Sequence, residues 1–275
     1  MTEIWRHPLY RQDIQNIAQG ELPWKKLEGK TVLVTGATGM IGSCLVDALL
    51  MHGHIRVLAM ARSEQRAQSR FAYCWDHPLF SFFAQDVCQP LQTEQPIDFI
   101  VHAASNTHPK AYASDPIGTI TANVIGMQQL LETARLHKTE RVCLLSSVEI
   151  YGENETGKPF CETDMGYIDC NTLRAGYPEG KRVAETLCQA YRSTYGIQTV
   201  TMRLCRVYGP TVLSTDSKAL SQFISNAVHR QNIVLKSEGT QFFSYIYAAD
   251  AVSALLTGLL RGRGRAGVQC LGYTV

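Results

Sequence analysis

Tyr177-Pro178-Glu179-Gly180-Lys181 holds the most telling spacing in the chain. Four positions apart on a helix, Tyr177 and Lys181 share one face. A nearby ammonium stabilises a phenolate and lowers the phenol's pKa toward working pH. Such a phenol can take a proton from a substrate hydroxyl while hydride leaves for a nicotinamide. A Tyr-x-x-x-Lys pair alone is common by chance. Here it follows a strand-like run ending in Ser146-Ser147, and it lies downstream of a second chemical motif.

That second motif is Thr35-Gly36-Ala37-Thr38-Gly39-Met40-Ile41-Gly42. Turn glycines let backbone approach a pyrophosphate, and a following helix offers unpaired N–H groups and the positive end of its dipole. The β-branched run 31–35 precedes the turn and a helical pattern over 41–52 follows it, so the required context is present. Gly36, Thr38, Gly39, Met40, Ile41 and Gly42 are therefore the expected cofactor-binding residues, and the cofactor is NAD or NADP. A ribose-binding carboxylate is expected near the end of the second strand. The sequence there reads Ala59-Met60-Ala61-Arg62-Ser63, with no acid. Arg62 either meets a 2′-phosphate, which favours NADP, or lies over adenine at the surface with NAD bound.

The elements that must position these groups alternate along the chain. Strands are expected at 31–35, 55–61, 80–85, 99–102, 141–146 and 198–204, and helices at 41–52, 123–136 and 178–195. Pro178 in the first turn and Gly196 past the end frame the last helix. Such βαβα order predicts an α/β fold, a doubly wound parallel Rossmann sheet with helices on both faces. Residues 1–29 read as an arm with a polar helix around 10–18. Residues 30–204 read as the NAD(P)-binding domain with the Ser/Tyr/Lys set, and 205–275 as a small, partial substrate-binding region. Asp250 is expected to cap a helix over 251–260.

Composition excludes several classes. The formal net charge of +2 is too small to argue for nucleic acid or a membrane surface. Arg261-Gly262-Arg263-Gly264-Arg265 reads as a solvated loop. Nine cysteines include no Cys-x-x-Cys pair and no His/Cys cluster at ligand spacing, so no metal site is expected. Cys44, Cys143, Cys188 and Cys205 lie in apolar segments and are expected to be buried. No run approaches the length of a membrane span, and the first residues carry no signal-peptide core. A reducing cytoplasm is the expected compartment.

The glycine spacing, Asp86-Val87, His102-Ala103-Ala104-Ser105, Asn123 and the Tyr177/Lys181 pair occur in an order that resembles the extended short-chain dehydrogenases/reductases, in particular NAD-dependent epimerases and dehydratases. The resemblance covers residues 30–260. It implies that Asp86, Val87, Ala103 and Ala104 line the cofactor. It implies that Ser147 hydrogen-bonds the reacting oxygen and that Ser105 and Arg206 meet the substrate. It also implies a nucleotide-sugar substrate, a homodimer built from the Asn123 and Tyr177 helices (Met127, Leu130, Leu187, Tyr191), and work in surface-polysaccharide precursor synthesis.

Ser146-Ser147-Val148-Glu149-Ile150-Tyr151-Gly152 refines the expectation. The 4,6-dehydratases carry Asp-Glu in this segment and UDP-glucuronate decarboxylases carry Ser-Glu. This chain keeps Glu149 and has Val148 before it, so one of the two carboxyls a dehydratase uses is missing. The helix beginning Tyr177-Pro-Glu-Gly-Lys-Arg-Val-Ala-Glu resembles that of the decarboxylases. The resemblance thus implies oxidation at sugar C4 followed by a decarboxylase- or dehydratase-like step involving Glu149. The alternatives are a 4-epimerase, a 4-keto reductase and, from a different class, a truncated non-catalytic NAD(P)-binding protein.

Two positions depart from the family: Arg206 stands where Asn is usual, and Phe243 where an Arg grips the diphosphate. Relatives continue beyond the present end. Val268-Gln269-Cys270, read one base later, can encode Tyr-Asn-Val, which suggests truncation by a frameshift; the nucleotide sequence tests this.

Overall fold

The computed structural model describes residues 4–107, 109–153, 158–213, 216–235, 238, 240, 243–262, 268–270 and 273–274. In chain order the main elements are α1 (Pro8–Ala18), β1 (Thr31–Thr35), α2 (Met40–His52), β2 (Arg56–Ala61), α3 (Glu64–Arg70), β3 (Phe80–Ala84), β4 (Phe99–His102), α4 (Pro109–Ser114), α5 (Pro116–His137), β5 (Arg141–Ser147), α6 (Gly176–Tyr195), β6 (Thr199–Leu204), β7 (Arg206–Tyr208), α7 (Ala219–Val228), β8 (Ser244–Tyr247), α8 (Ala248–Arg261), β9 (Val268–Cys270) and β10 (Tyr273–Thr274).

Among the described residues, seven parallel strands pair in the order β3-β2-β1-β4-β5-β6-β9. This is the doubly wound Rossmann sheet the sequence predicts. Every residue of β1 is buried, as a parallel strand covered on both faces requires. Val32 and Val34 face a core cluster shared with Leu45, Leu49, Leu255 and Leu259, whereas Leu33 between them faces another with Met127, Leu130, Leu131 and Ala184. The strand order reverses between β1 and β4, which opens a crevice at their carboxyl ends. A smaller sheet, β10-β8-β7, follows. The strand at Val268–Cys270 pairs with β6, although its residues do not read as the family's usual strand.

Several elements differ from their sequence reading. The α5 helix starts at Pro116, two turns before the predicted residue 123. Asp115 caps it by accepting from the Gly118 N–H at 2.9 Å, and Pro116 sits at the first turn. Those added turns carry exposed Ile117 and Ile120, so no apolar periodicity announces them. The α1 helix is not a purely polar arm. It buries Tyr10, Ile14 and Ile17 in the main cluster. Asp250 lies within the first turn of α8 and not at its cap, because the helix begins two residues earlier, at Ala248. Cys44, Cys143, Cys188 and Cys205 are buried. Residues 263–265 of the Arg/Gly run lie outside the described residues.

Met127 and Leu130 are fully buried in the cluster beneath the sheet, with Leu187 and Tyr191 packed against it. Their apolar character is thus accounted for by the core. The outward apolar residues of these helices are instead Ile117, Ile120, Ile125, Leu136 and Val183. In α7 no residue is buried, and Ile224, Val228, Ile233, Val234 and Leu235 are exposed nearby. No helix of the described residues is long and apolar enough to cross a membrane.

Candidate active site

The Gly-rich turn is built so tightly that two of its glycines, Gly36 and Gly42, are obligatory. Gly36 has φ of 65°, and a Cβ there would lie 2.7 Å from the backbone of Ala103 and Ala104. A Cβ on Gly42 would lie 2.4 Å from the Gly36 carbonyl oxygen. The turn is therefore clamped between the end of β4 and the start of α2. Gly39, the N-cap of α2, contributes no side chain, so the helix's first N–H groups carry no side-chain cap. Thr35 stitches the two strand ends together. Its carbonyl accepts from the Ala103 N–H and its Oγ1 from the Ala104 N–H. Backbone pressed this close around an uncapped helix terminus fits a dinucleotide's pyrophosphate.

Other residues predicted to bind cofactor (Asp86, Val87, Arg62) or substrate (Ser105) are spread around this crevice. Asp86 is exposed just beyond β3, and its Oδ1 accepts from the Cys88 N–H at 2.8 Å. Val87 is buried against Gly126 of α5. Arg62 is exposed immediately after β2. Ser105 is half-buried, with its hydroxyl donating to the Asn106 carbonyl.

The Tyr177 end of the crevice is assembled from three elements. Ser147, the last residue of β5, caps the short turn Val148–Tyr151 by accepting from the Glu149 N–H at 3.2 Å. Arg182 of α6 fixes that turn by donating to the Ile150 carbonyl at 2.8 Å. Tyr177 and Lys181 sit one turn apart on α6 and are both buried, with Ser147 at the strand end close enough to the phenol to act on it. Burial pushes the Tyr177 phenol up, with the Glu149 charge adding to it; the Ser147 hydroxyl and Arg174 oppose both. Burial pulls the Lys181 ammonium down to about 7, against the charges of Glu185 and Cys188.

This differs from the simple expectation of a phenol acidified by its lysine. The Lys181 Nζ donates to the Leu145 carbonyl at 2.7 Å and stands 5.9 Å from the centre of the Tyr177 ring. It is aimed at backbone rather than at the phenolic oxygen.

Behind the site, Glu185 accepts from Ser146 at 2.6 Å and from Arg203 at 2.8 Å, and Arg203 donates to the Glu162 carbonyl at 2.6 Å. The strand end, α6 and the segment around Glu162 are thereby tied together.

Sequence reasoning missed two neighbours, Tyr112 and Arg174, and gave a third, His102, no role of its own. Tyr112 of α4 stacks on Tyr177 with ring centres 5.2 Å apart. Arg174 pairs with Glu149 and lies 4.8 Å over the Tyr112 ring. His102 is completely buried, bonded to the Thr35 hydroxyl at 2.9 Å, and burial beside Lys181 depresses it to about 3. Arg174, three residues before Tyr177, was the most accessible signal. Tyr112 lies on a helix that no periodicity predicts. The two family departures meet in space: the Arg206 guanidinium lies 3.4 Å from the centre of the Phe243 ring.

Residues 32–267 match the model of the NAD dependent epimerase/dehydratase family. The chain belongs to this family. It is 33% identical over 254 residues to UDP-glucuronic acid decarboxylase 1 of Xenopus tropicalis, covering 90% of this chain and 59% of that protein. It is 34% identical over 225 residues to UDP-glucuronic acid decarboxylase 6 of Arabidopsis thaliana, covering 82% and 64%. The chain thus spans less than two thirds of either relative. The fold resembles that of a dTDP-glucose 4,6-dehydratase from Streptomyces venezuelae (TM-score 0.76, 25% identity, 89% of this chain and 76% of that one). It also resembles UDP-glucuronic acid 4-epimerase from Bacillus cereus (TM-score 0.74, 24% identity, 88% and 78%).

Proposed function

We propose that this family member is an NAD-dependent enzyme that oxidises C4 of a nucleotide sugar, and that its substrate is UDP-glucuronate, which it decarboxylates. The observation that carries this reading is the placement of Glu149 beside an intact Ser147/Tyr177/Lys181 set, with Val148 where a dehydratase has its second acid. Sequence similarity to two UDP-glucuronic acid decarboxylases points the same way.

The turn of Gly36, Thr38, Gly39, Met40, Ile41 and Gly42 would hold the pyrophosphate, with Asp86, Val87, Ala103, Ala104 and Arg62 around the rest of the cofactor. Bound there, NAD would supply a hydride acceptor and a positive charge beside the phenol. Tyr177 takes the proton of the sugar hydroxyl, Ser147 orients that oxygen, and Lys181, bonded to the Leu145 carbonyl and 5.9 Å from the ring centre, acts on the phenolate at a distance and not by direct contact. A ketone at C4 makes the C6 carboxylate a β-keto acid, which can leave as CO₂, and Glu149 manages a proton at that stage. Ser105 borders the sugar. Arg206, steadied on Phe243, supplies the cation that the diphosphate requires. The division into an arm (1–29), a nucleotide domain (30–204) and a substrate region (205–275) is part of the same reading, as is a cytoplasmic location.

Incubation with UDP-glucuronate, UDP-glucose, UDP-N-acetylglucosamine and dTDP-glucose plus NAD, followed by product mass, tests the reading. Loss of CO₂ from UDP-glucuronate is the expected result, slowed about 10²-fold or more by Glu149→Gln with NAD binding retained. Loss of water from dTDP-glucose, or an isobaric product alone, would replace decarboxylation with dehydration or epimerisation.

We also propose a homodimer through α5 and α6, whose outward Ile117, Ile120, Ile125 and Val183 are exposed in the single chain. Light scattering should give twice the 30.6 kDa chain mass, and Ile120→Lys should lower it to one chain. A monomeric wild type would remove the dimer.

A further inference from the structure

The Arg174–Glu149 pair stands at the mouth of the site, and its geometry is that of an open contact. The two side chains are 53% and 35% exposed, so water and ligands reach both. A pair in such a position is cheap to break. Glu149 engages one nitrogen of the guanidinium; no other hydrogen bond from the fork is found among the described residues. A guanidinium fork is shaped to bind both oxygens of a carboxylate, so this one is only partly used. Nearby arginines are committed elsewhere: Arg203 holds Glu185 and the Glu162 carbonyl, and Arg182 holds Glu179 and two backbone carbonyls.

Arg174 is also registered on the reacting group. Its guanidinium lies over Tyr112, and Tyr112 stacks on Tyr177, so cation and two rings form one column ending at the phenol. Glu149 and Arg174 act on the Tyr177 phenol with opposite signs, which places both within electrostatic reach of it.

We infer that Arg174 reads the carboxylate of a sugar acid, and that Glu149 holds its place while the site is empty. This rests on the reading of the site proposed above and names the contact that selects the substrate. A sugar carboxylate exchanges with Glu149 at the guanidinium. The exchange frees Glu149 to face the sugar, so the group needed for chemistry is released only by a substrate that carries the anion. A neutral hexose leaves the pair closed.

The test is calorimetric binding of UDP-glucuronate and UDP-glucose to NAD-loaded wild type, Arg174→Gln, Arg174→Lys and Glu149→Gln, with thermal melting as a check on folding. Wild type should prefer UDP-glucuronate. Arg174→Gln should reduce that preference about tenfold or more, with UDP-glucose affinity unchanged, and Arg174→Lys should fall between. Glu149→Gln should bind UDP-glucuronate severalfold more tightly, because the internal competitor is gone, while slowing turnover. If both sugars bind but Arg174→Gln keeps the wild-type ratio, or Glu149→Gln weakens both equally, Arg174 is not the reader. If neither UDP-sugar binds folded, NAD-loaded wild type, the nucleotide-sugar reading itself is overturned.

Discussion

Tyr177→Phe is expected to lower turnover of the accepted nucleotide sugar by about 10²–10⁴-fold, the usual worth of a positioned proton-transfer group. Its fold should be nearly unchanged. The phenylalanine ring keeps the stack on Tyr112, and the lost hydroxyl forfeits at most one hydrogen bond, about 1 kcal/mol. The melting temperature should therefore shift by only a few degrees.

The activity loss is large because no neighbour can substitute. His102 is sealed beneath the strand ends and too weak a base at working pH, being depressed to about 3. Glu149, even when substrate frees it from Arg174, is reserved for the later decarboxylation step, and Lys181 points at the Leu145 carbonyl. Lys181→Met should be slow as well, and also less stable, since it strips the buried Leu145 carbonyl of its donor. Steady-state kinetics alongside thermal melting separate the two effects. Wild-type turnover in Tyr177→Phe would remove the phenol from the chemistry.

The parts of this site that could be read from sequence are those fixed by local rules. Gly36 answers to a positive φ, and Gly36 and Gly42 to contacts under 3 Å, so their spacing announces the turn. The Tyr177/Lys181 pair is fixed by helical spacing. The β-branched runs of the central strands are fixed by burial on both faces. What stayed hidden depends on chain crossings. Tyr112 reaches Tyr177 from a six-residue helix far away in sequence, and Arg206 meets Phe243 across the smaller sheet. The α1 helix read as polar because Tyr10, Ile14 and Ile17 are separated by Arg, Gln, Asp and Asn, and only packing shows that they share a buried stripe. Met127 and Leu130 mislead in the opposite direction. Apolar side chains bound for the core and for a partner subunit are the same residue types, and only burial tells them apart.

Asp47→Ala is expected to cost about 3–5 kcal/mol of stability, the typical result of removing one partner from a buried ion pair. Asp47 on α2 is fully buried and accepts from Arg70, from Tyr73 at 2.5 Å and from Tyr10 of α1. Burial works to lower the Arg70 pKa, but the Asp47 charge, its hydrogen bonds and the two tyrosines together more than offset it, so the guanidinium stays ionised inside the protein. Alanine leaves that charge without a counter-ion and two tyrosine hydroxyls without an acceptor. Against a total stability of about 5–15 kcal/mol, this is a large fraction. Urea unfolding reads the loss directly. Because α2 begins at the Gly-rich turn, NAD affinity should fall as well. Adding Arg70→Met should recover part of the stability, since the penalty lies in the unpaired charge and not in the absence of an attraction. A loss below about 1 kcal/mol in Asp47→Ala would mean that water reaches Arg70 once the carboxylate is gone, and that α1 is held by its apolar stripe alone.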